Sequence, residues 1–300
     1  MVFPEDGESA VKLRQWTVTP QGDGERVDRL IARYLPELPE RSVRAAFLRR
    51  DVKLDGKRVP REEKARVGQE LRIYLQEDDP ENALLQVVYE DGDVLLVNKP
   101  AGISVEPDGK GGLTLTELCE RHVRETDPDA PPPAACHRLD NQTCGLCLFA
   151  KNSRALELLQ DVFRRREMEK YYECLVRGIP KPAAAECRAY LVKDAKAGRV
   201  QVTDRPVPGG KLIRTGYETL EAGPVSRLRV HLLTGRTHQI RAHLAALGHP
   251  ILGDDVYGDR QWNRDRKTRT LRLCAVSLKL DTGGTLPQLD GKTFSIRAPF

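Results

Sequence analysis

Three stretches of the chain carry groups suited to covalent or acid–base chemistry. In Cys136-His137-Arg138-Leu139-Asp140-Asn141-Gln142-Thr143-Cys144-Gly145, a carboxylate lies between an arginine and a Thr-x-Gly turn, directly ahead of the apolar run Leu146-Cys147-Leu148-Phe149-Ala150. That run reads as a buried strand, so Asp140 stands at a strand edge, where a carboxylate is costly to hide unless a cation meets it. Two roles fit it: a turn residue accepting hydrogen bonds from the backbone that follows, or a rigidly held nucleophile or base. The second stretch, Glu169-Lys170-Tyr171-Tyr172-Glu173-Cys174-Leu175-Val176-Arg177-Gly178, alternates so that Tyr172, Cys174 and Val176 share one side of a strand. An inward tyrosine fills a core as readily as it lines a site. The third runs from strand Arg227–Leu233 through the turn Thr234-Gly235-Arg236-Thr237 into the helix of His238-Gln239-Ile240-Arg241-Ala242-His243-Leu244. Its expected buried stripe is Ile240, Leu244 and Leu247, its C-cap is Gly248, and Arg241, beside Ile240 on the first turn, points inward.

The elements that must position these groups occupy the chain from Leu84 onward. Leu85–Tyr89 and Val94–Asn98 read as strands around a turn, followed by Lys99-Pro100, where a lysine before proline suggests a surface or phosphate contact. Thr114-Leu115-Thr116-Glu117 is a capping box that opens a helix. Ser153 begins an amphipathic helix with Leu156, Leu159, Val162 and Phe163 inward, ending in Arg164-Arg165-Arg166.

At 300 residues the chain is long enough for two domains, and no run approaches the roughly 18 apolar residues of a membrane span. The start, Met1 to Glu8, lacks the flank and apolar core of a signal peptide, and seven scattered cysteines suggest reduced thiols in the cytoplasm. Cys144-Gly145-Leu146-Cys147 is a C-x-x-C without a second pair, on a strand that sends its cysteines to opposite sides, which argues against zinc. Charge is informative by its location. Glu25 to Arg72 holds 14 basic and 9 acidic residues, while the remainder balances at 35 of each. The basic excess belongs to one small region, the footprint of a polyanion binder.

That region has its own pattern: Val27, Leu30, Ile31 and Leu35 at helical spacing, a second helix from Ser42 with Arg41 and Arg44 on its outer side, and a hairpin around Asp55-Gly56 closed by a strand at 67–75. It resembles the alpha-L motif RNA-binding domain through Arg26-Val27-Asp28-Arg29-Leu30, Arg41-Ser42-Val43-Arg44 and Val52-Lys53-Leu54-Asp55-Gly56, with Asp51 replacing the usual glycine. The reading is a small α/β RNA-binding domain over 14–76, a polar linker, and a second domain over 84–300.

The second domain resembles the RluA-type pseudouridine synthases. Their "HRLD-x-x-TSG" corresponds to His137–Gly145, "K-x-Y-x-A-x-V-x-G" to Lys170–Gly178, and "L-x-TGR-x-HQIR-x-H" to Leu232–His243. Their "G-x-P-I-x-GD-x-x-YG" corresponds to Gly248–Gly258. The departures are Cys144 for Ser, Cys174 for Ala, and Glu106 where members often carry His. The resemblance implies an α+β fold, a large mixed and mostly antiparallel sheet flanked by helices, and an RNA-modifying isomerase needing no cofactor and no metal. It implies Asp140 as nucleophile, Arg241 as its cation and Tyr172 against the base, with Arg138, His137, Arg236 and His238 as further RNA contacts beside Arg41 and Arg44. Large-subunit ribosomal RNA is the expected substrate, transfer RNA or a non-catalytic RNA-binding role the alternatives, and a monomer the default state.

Overall fold

A computed structural model describes residues 11–36, 38, 43, 46–47, 50–76, 85–107, 113–194 and 198–300. The chain divides into two compact units, Met1–Leu84 and Leu85–Phe300. In the first, β1 (Val11–Thr17), α1 (Val27–Tyr34), β2 (Val52–Leu54), β3 (Lys57–Arg58) and β4 (Glu70–Gln76) form a sheet in the order β1-β4-β2-β3, with α1 packed on it. Val27, Leu30, Ile31 and Leu35 are all buried, as their spacing predicts, together with Val43 and Ala46. The hairpin turns at Asp55 and Gly56 with φ of 47° and 76°, the paired positive values that a two-residue turn between right-twisted strands requires. Strand β1 was not foreseen; it pairs along its full length with β4, from Val11↔Gln76 to Thr17↔Glu70, so the sheet begins before residue 14. Arg41 and Arg44 lie outside the described residues.

The second unit contains β5 (Gln86–Glu90), β6 (Val94–Lys99), α2 (Leu115–Thr126), β7 (Ala134–Ala135), β8 (Cys144–Ala150), α3 (Ser153–Arg165) and β9 (Met168–Arg177). It continues with β10 (Ala184–Asp194), β11 (Arg199–Thr203), β12 (Lys211–Glu221), β13 (Val225–Leu232), α4 (Gln239–Ala246), α5 (Arg260–Asp265), β14 (Leu273–Leu280) and β15 (Thr293–Ser295). Among the described residues one mostly antiparallel sheet runs β11-β10-β12-β13-β9-β14-β8-β6-β5, with β15 added to β14 and β7 to β8. The α+β expectation holds. Strict alternation sends Leu95 and Val97 to one face, under α2 and α4, and Val94 and Leu96 to the other, under α3.

Two local devices bring the motif strands together. Only β8 and β14 run parallel, meeting at Cys144↔Cys274 and Ala275↔Gly145. Gly145 has φ of 112°, and a Cβ there would lie 2.3 Å from the Ala275 carbonyl oxygen, so the close approach demands glycine. The predicted capping box is present: the Glu117 N–H donates to Thr114 Oγ1 (3.2 Å) and the Thr114 N–H to Glu117 Oε2 (2.9 Å).

Candidate active site

Asp140 sits in the turn just before β8. Its backbone carbonyl accepts the Thr143 N–H at 3.0 Å, which closes the turn and makes the Asx-rich segment a rigid mount. Tyr172 projects from the middle of β9, between Val230 on β13 and Ala275 on β14, with Cys174 and Val176 buried on the same side. Arg241 lies on the first turn of α4 and is only 4% exposed. All three line one cleft of about 760 Å³, with His137, Arg138, Arg164, Arg166, Lys170, Arg236 and His238 around them. Among the described residues, six arginine and lysine side chains face that cleft and Asp140 is its sole carboxylate.

The guanidinium has two jobs. Its Nη1 donates to Asp140 Oδ2 at 3.3 Å, while Nε and Nη2 donate to Asp254 Oδ2 and Oδ1 at 2.7 and 2.9 Å in a forked pair. A cation in the first turn of a helix faces the positive end of the dipole, so Arg241 needs these carboxylates to be held there. Asp254 is fully buried. Burial raises its pKa, but the Arg241 hydrogen bonds and charge, joined by the Val256 and Tyr257 N–H groups, outweigh that and hold it below the usual carboxylate range. Arg241, opposed by burial, is pushed up by Asp254 and then Asp140. The carboxylate at Asp140 is therefore met by a permanently charged, pre-positioned donor.

The turn ahead of α4 is pinned by Gln239. Its Oε1 accepts from Thr234 Oγ1 (2.9 Å) and the Arg236 N–H (3.1 Å), and its Nε2 donates to the Arg214 carbonyl (3.0 Å). The helix starts differently from expectation: its N-cap is His238, in the left-handed region at φ 54°, and Leu247 is 41% exposed rather than buried. The left-handed cap swings the imidazole into the cleft, where Nε2 lies 3.9 Å from Asp140 Oδ2 and Nδ1 is 2.9 Å from the Tyr257 hydroxyl. Burial lowers the His238 pKa, against the pull of Asp140 and with the push of Arg241.

Burial raises the pKa of Tyr172, and the charge of Asp140 raises it further, so the phenol stays protonated. His137 lines the cleft, but its Nε2 accepts the Leu148 N–H at 3.2 Å and its ring stacks on Phe163 at 5.2 Å. Burial, aided by the nearby Lys170 charge, pushes its pKa down to about 3. Arg138 and Arg236 are exposed on the rim.

Lys99 departs most from the sequence reading. It is not at the surface but 0% exposed, and its Nζ donates to the carbonyls of Pro100 (2.9 Å), Ile103 (2.7 Å) and Asn141 (2.9 Å). The last is the residue after Asp140, so the ammonium ties β6 to the Asp140 turn. Burial pushes its pKa down to about 8 against the pull of Cys147, Cys144 and Asp140. Asp254 and Tyr257 were likewise given no role beforehand, although both fall in the Gly248–Gly258 motif.

The comparisons with known proteins converge. A model described as RNA pseudouridylate synthase matches residues 93–246. The chain belongs to the RNA pseudouridylate synthase family. It is 34% identical over 255 residues to "Ribosomal large subunit pseudouridine synthase C" of Vibrio vulnificus, covering 80% of this chain and 78% of that protein. The protein of the same name from Escherichia coli K12 is 31% identical over 301 residues, covering 94% and 91%. Among solved structures, human RNA pseudouridylate synthase domain containing 4 superposes with a TM-score of 0.60 at 25% identity, over 71% of this chain and 88% of that one. The enzyme is thus an isomerase acting on RNA, of the RluA type. No described helix is long and apolar enough to cross a membrane.

Proposed function

We propose that this pseudouridine synthase acts on uridines of large-subunit ribosomal RNA, with Asp140 as nucleophile, Arg241 as the cation that orients it, and Tyr172 against the base. The observation that carries the assignment is the 3.3 Å contact of Arg241 with Asp140, the one carboxylate among the described residues of a cleft that also holds six cationic side chains. Isomerisation breaks the bond from ribose to base nitrogen, turns the base and rejoins it through carbon five; no electrons or phosphate are transferred. A carboxylate oriented by a guanidinium suits the covalent step. The neutral Tyr172 ring supplies a flat, apolar surface for the detached base.

Reaching the uridine requires turning it out of the RNA stack, at a cost of a few kcal/mol. Arg138 and Arg236, unburied at the rim, are suited to the RNA around the extruded nucleotide. The small unit, 14–76, is proposed as an RNA-binding domain acting beside the catalytic domain, 84–300, with Arg41 and Arg44 among its contacts, in a cytoplasmic, monomeric enzyme. The ribosomal assignment rests on the named relatives. Its test is to incubate the wild-type enzyme with unmodified transcripts of large-subunit ribosomal RNA and of transfer RNA and to quantify pseudouridine in each. Conversion of the ribosomal transcript supports the reading; conversion confined to transfer RNA replaces the substrate, and binding without conversion of either removes the catalytic role.

A further inference from the structure

Lys170 lies two residues before Tyr172 on β9, so both side chains leave the same side of the strand, about 6.6 Å apart. Its ammonium enters the cleft between the Phe163 ring, with Nζ 5.5 Å from the centroid, and the bare Gly235, where an added Cβ would lie 3.4 Å from Nζ. Among the described residues no carboxylate and no hydrogen-bond acceptor is paired with it. Other cations of this unit are paired: half-buried Arg227 has Glu173 at 3.0 Å, half-buried Lys151 has Glu90 at 2.7 Å, and fully buried Lys99 has its three carbonyls.

The nearby titratable groups among the described residues are already engaged. His137, which senses its charge, is neutral and already occupied by the Leu148 N–H. Asp140 is committed to Arg241 and His238. Arg166, at the left-handed cap of α3, and Arg236, in the turn before α4, line the same cleft and add positive field. An ammonium with three donors, partly removed from water and facing a cavity, is a site made for an anion supplied from outside. Burial also lowers the Lys170 pKa, the response of a cation still waiting for its counter-charge.

We propose that Lys170 anchors an RNA backbone phosphate adjoining the nucleotide whose base lies against Tyr172. Their shared side of β9 is the reason for choosing that phosphate: the two side chains leave the backbone one strand step of two residues apart and line the same cleft, so a nucleotide against the Tyr172 ring has an adjoining phosphate to offer the ammonium. Lys170 would thus set how far the nucleotide enters the cleft, and hence where its sugar lies relative to Asp140. This inference rests on the proposed function of the cleft.

The test uses the full-length enzyme, whichever transcript the wild type converts, and the variants Lys170→Met, which keeps the stem, and Lys170→Arg, which keeps the charge. Affinity is measured against salt. Lys170→Met is expected to lose about tenfold or more in affinity, the worth of a hydrogen bond to a charged group, and to reduce the slope of log affinity on log salt by about 0.7 to 0.9; Lys170→Arg keeps the slope. A neutral methylphosphonate placed at the phosphate on either side of the target uridine locates the contact. At one of the two it weakens wild type as the mutation does and adds nothing in Lys170→Met. An unchanged salt slope, or effects that simply multiply at both positions, overturns the anchor and leaves Lys170 as packing on Phe163. Failure of the wild type to convert any transcript is a different result, and refutes the proposed function instead.

Discussion

Replacing Asp254 by Asn removes one charge from a fully buried pair while preserving shape, and its effect can be worked out bond by bond. In the wild type Oδ1 accepts from Arg241 Nη2 and from the N–H groups of Val256 and Tyr257, all at 2.9 Å, and Oδ2 accepts from Arg241 Nε at 2.7 Å. Asparagine keeps the first oxygen and turns the second into an NH₂ facing an N–H, so one charge-assisted bond becomes a donor–donor clash. Losing that bond costs about 1.5–3 kcal/mol, and leaving a guanidinium under-compensated in the interior brings the total to about 3–5 kcal/mol. Among charged partners, Asp140 at 3.3 Å and the exposed Asp255 at 3.4 Å remain to hold Arg241, beside the one amide oxygen. In the molecules still folded, the guanidinium shifts toward Asp140 and displaces the proposed nucleophile; a misplacement of about 1 Å costs on the order of 100-fold in kcat. Urea unfolding and single-turnover pseudouridine formation on the same preparation measure both. Stability within about 1 kcal/mol of wild type together with unchanged turnover would refute the claim that Asp254 holds Arg241 in place.

Other expectations follow from equally specific contacts. Gly145→Ala forces a methyl group to within 2.3 Å of the Ala275 carbonyl, so urea unfolding should show a loss of more than about 3 kcal/mol or no folded protein. Lys99→Met orphans three carbonyls and frees the Asn141 backbone; turnover should fall well before RNA affinity does, which separate measurement of kcat and Kd checks. Lys99 also predicts a pH dependence. Unfolded lysine keeps its proton to about pH 10.4, whereas the buried ammonium releases it near pH 8, so between those values the unfolded state binds more protons and the Lys99 contribution to stability rises with pH. The stability difference between wild type and Lys99→Met should therefore shift in favour of wild type by about 2 kcal/mol from pH 8 to pH 10, read by urea unfolding at each pH.

Much of the site was legible because its groups sit at places where short patterns speak clearly. Asp140 precedes a seven-residue apolar strand, Tyr172 lies on an alternating one, and Arg241 stands beside an obligatory core residue, Ile240. What was illegible depends on partners distant in the chain. Nothing local marks Asp254 as the clamp of a residue 13 positions earlier, or Lys99 as the tie to a turn 42 positions later. Burial of Lys99 contradicts its residue type, and only the convergence of three carbonyls makes it tolerable. The left-handed His238 is set by the Gln239 network around Thr234 and Arg236, so the helix begins one residue later than Thr237 suggests. Strand β1 was missed because its residues look like an exposed polar edge until β4 is placed beside them.

The most direct test of the central claim is single-turnover pseudouridine formation by Asp140→Asn on an RNA that the wild type converts, with binding measured alongside. Loss of the negative charge should abolish detectable pseudouridine while RNA affinity stays within a few-fold of wild type, because Asp140 contributes no attraction to a polyanion. Pseudouridine formed by this variant at more than about a hundredth of the wild-type rate would contradict the assignment of Asp140 as the nucleophile.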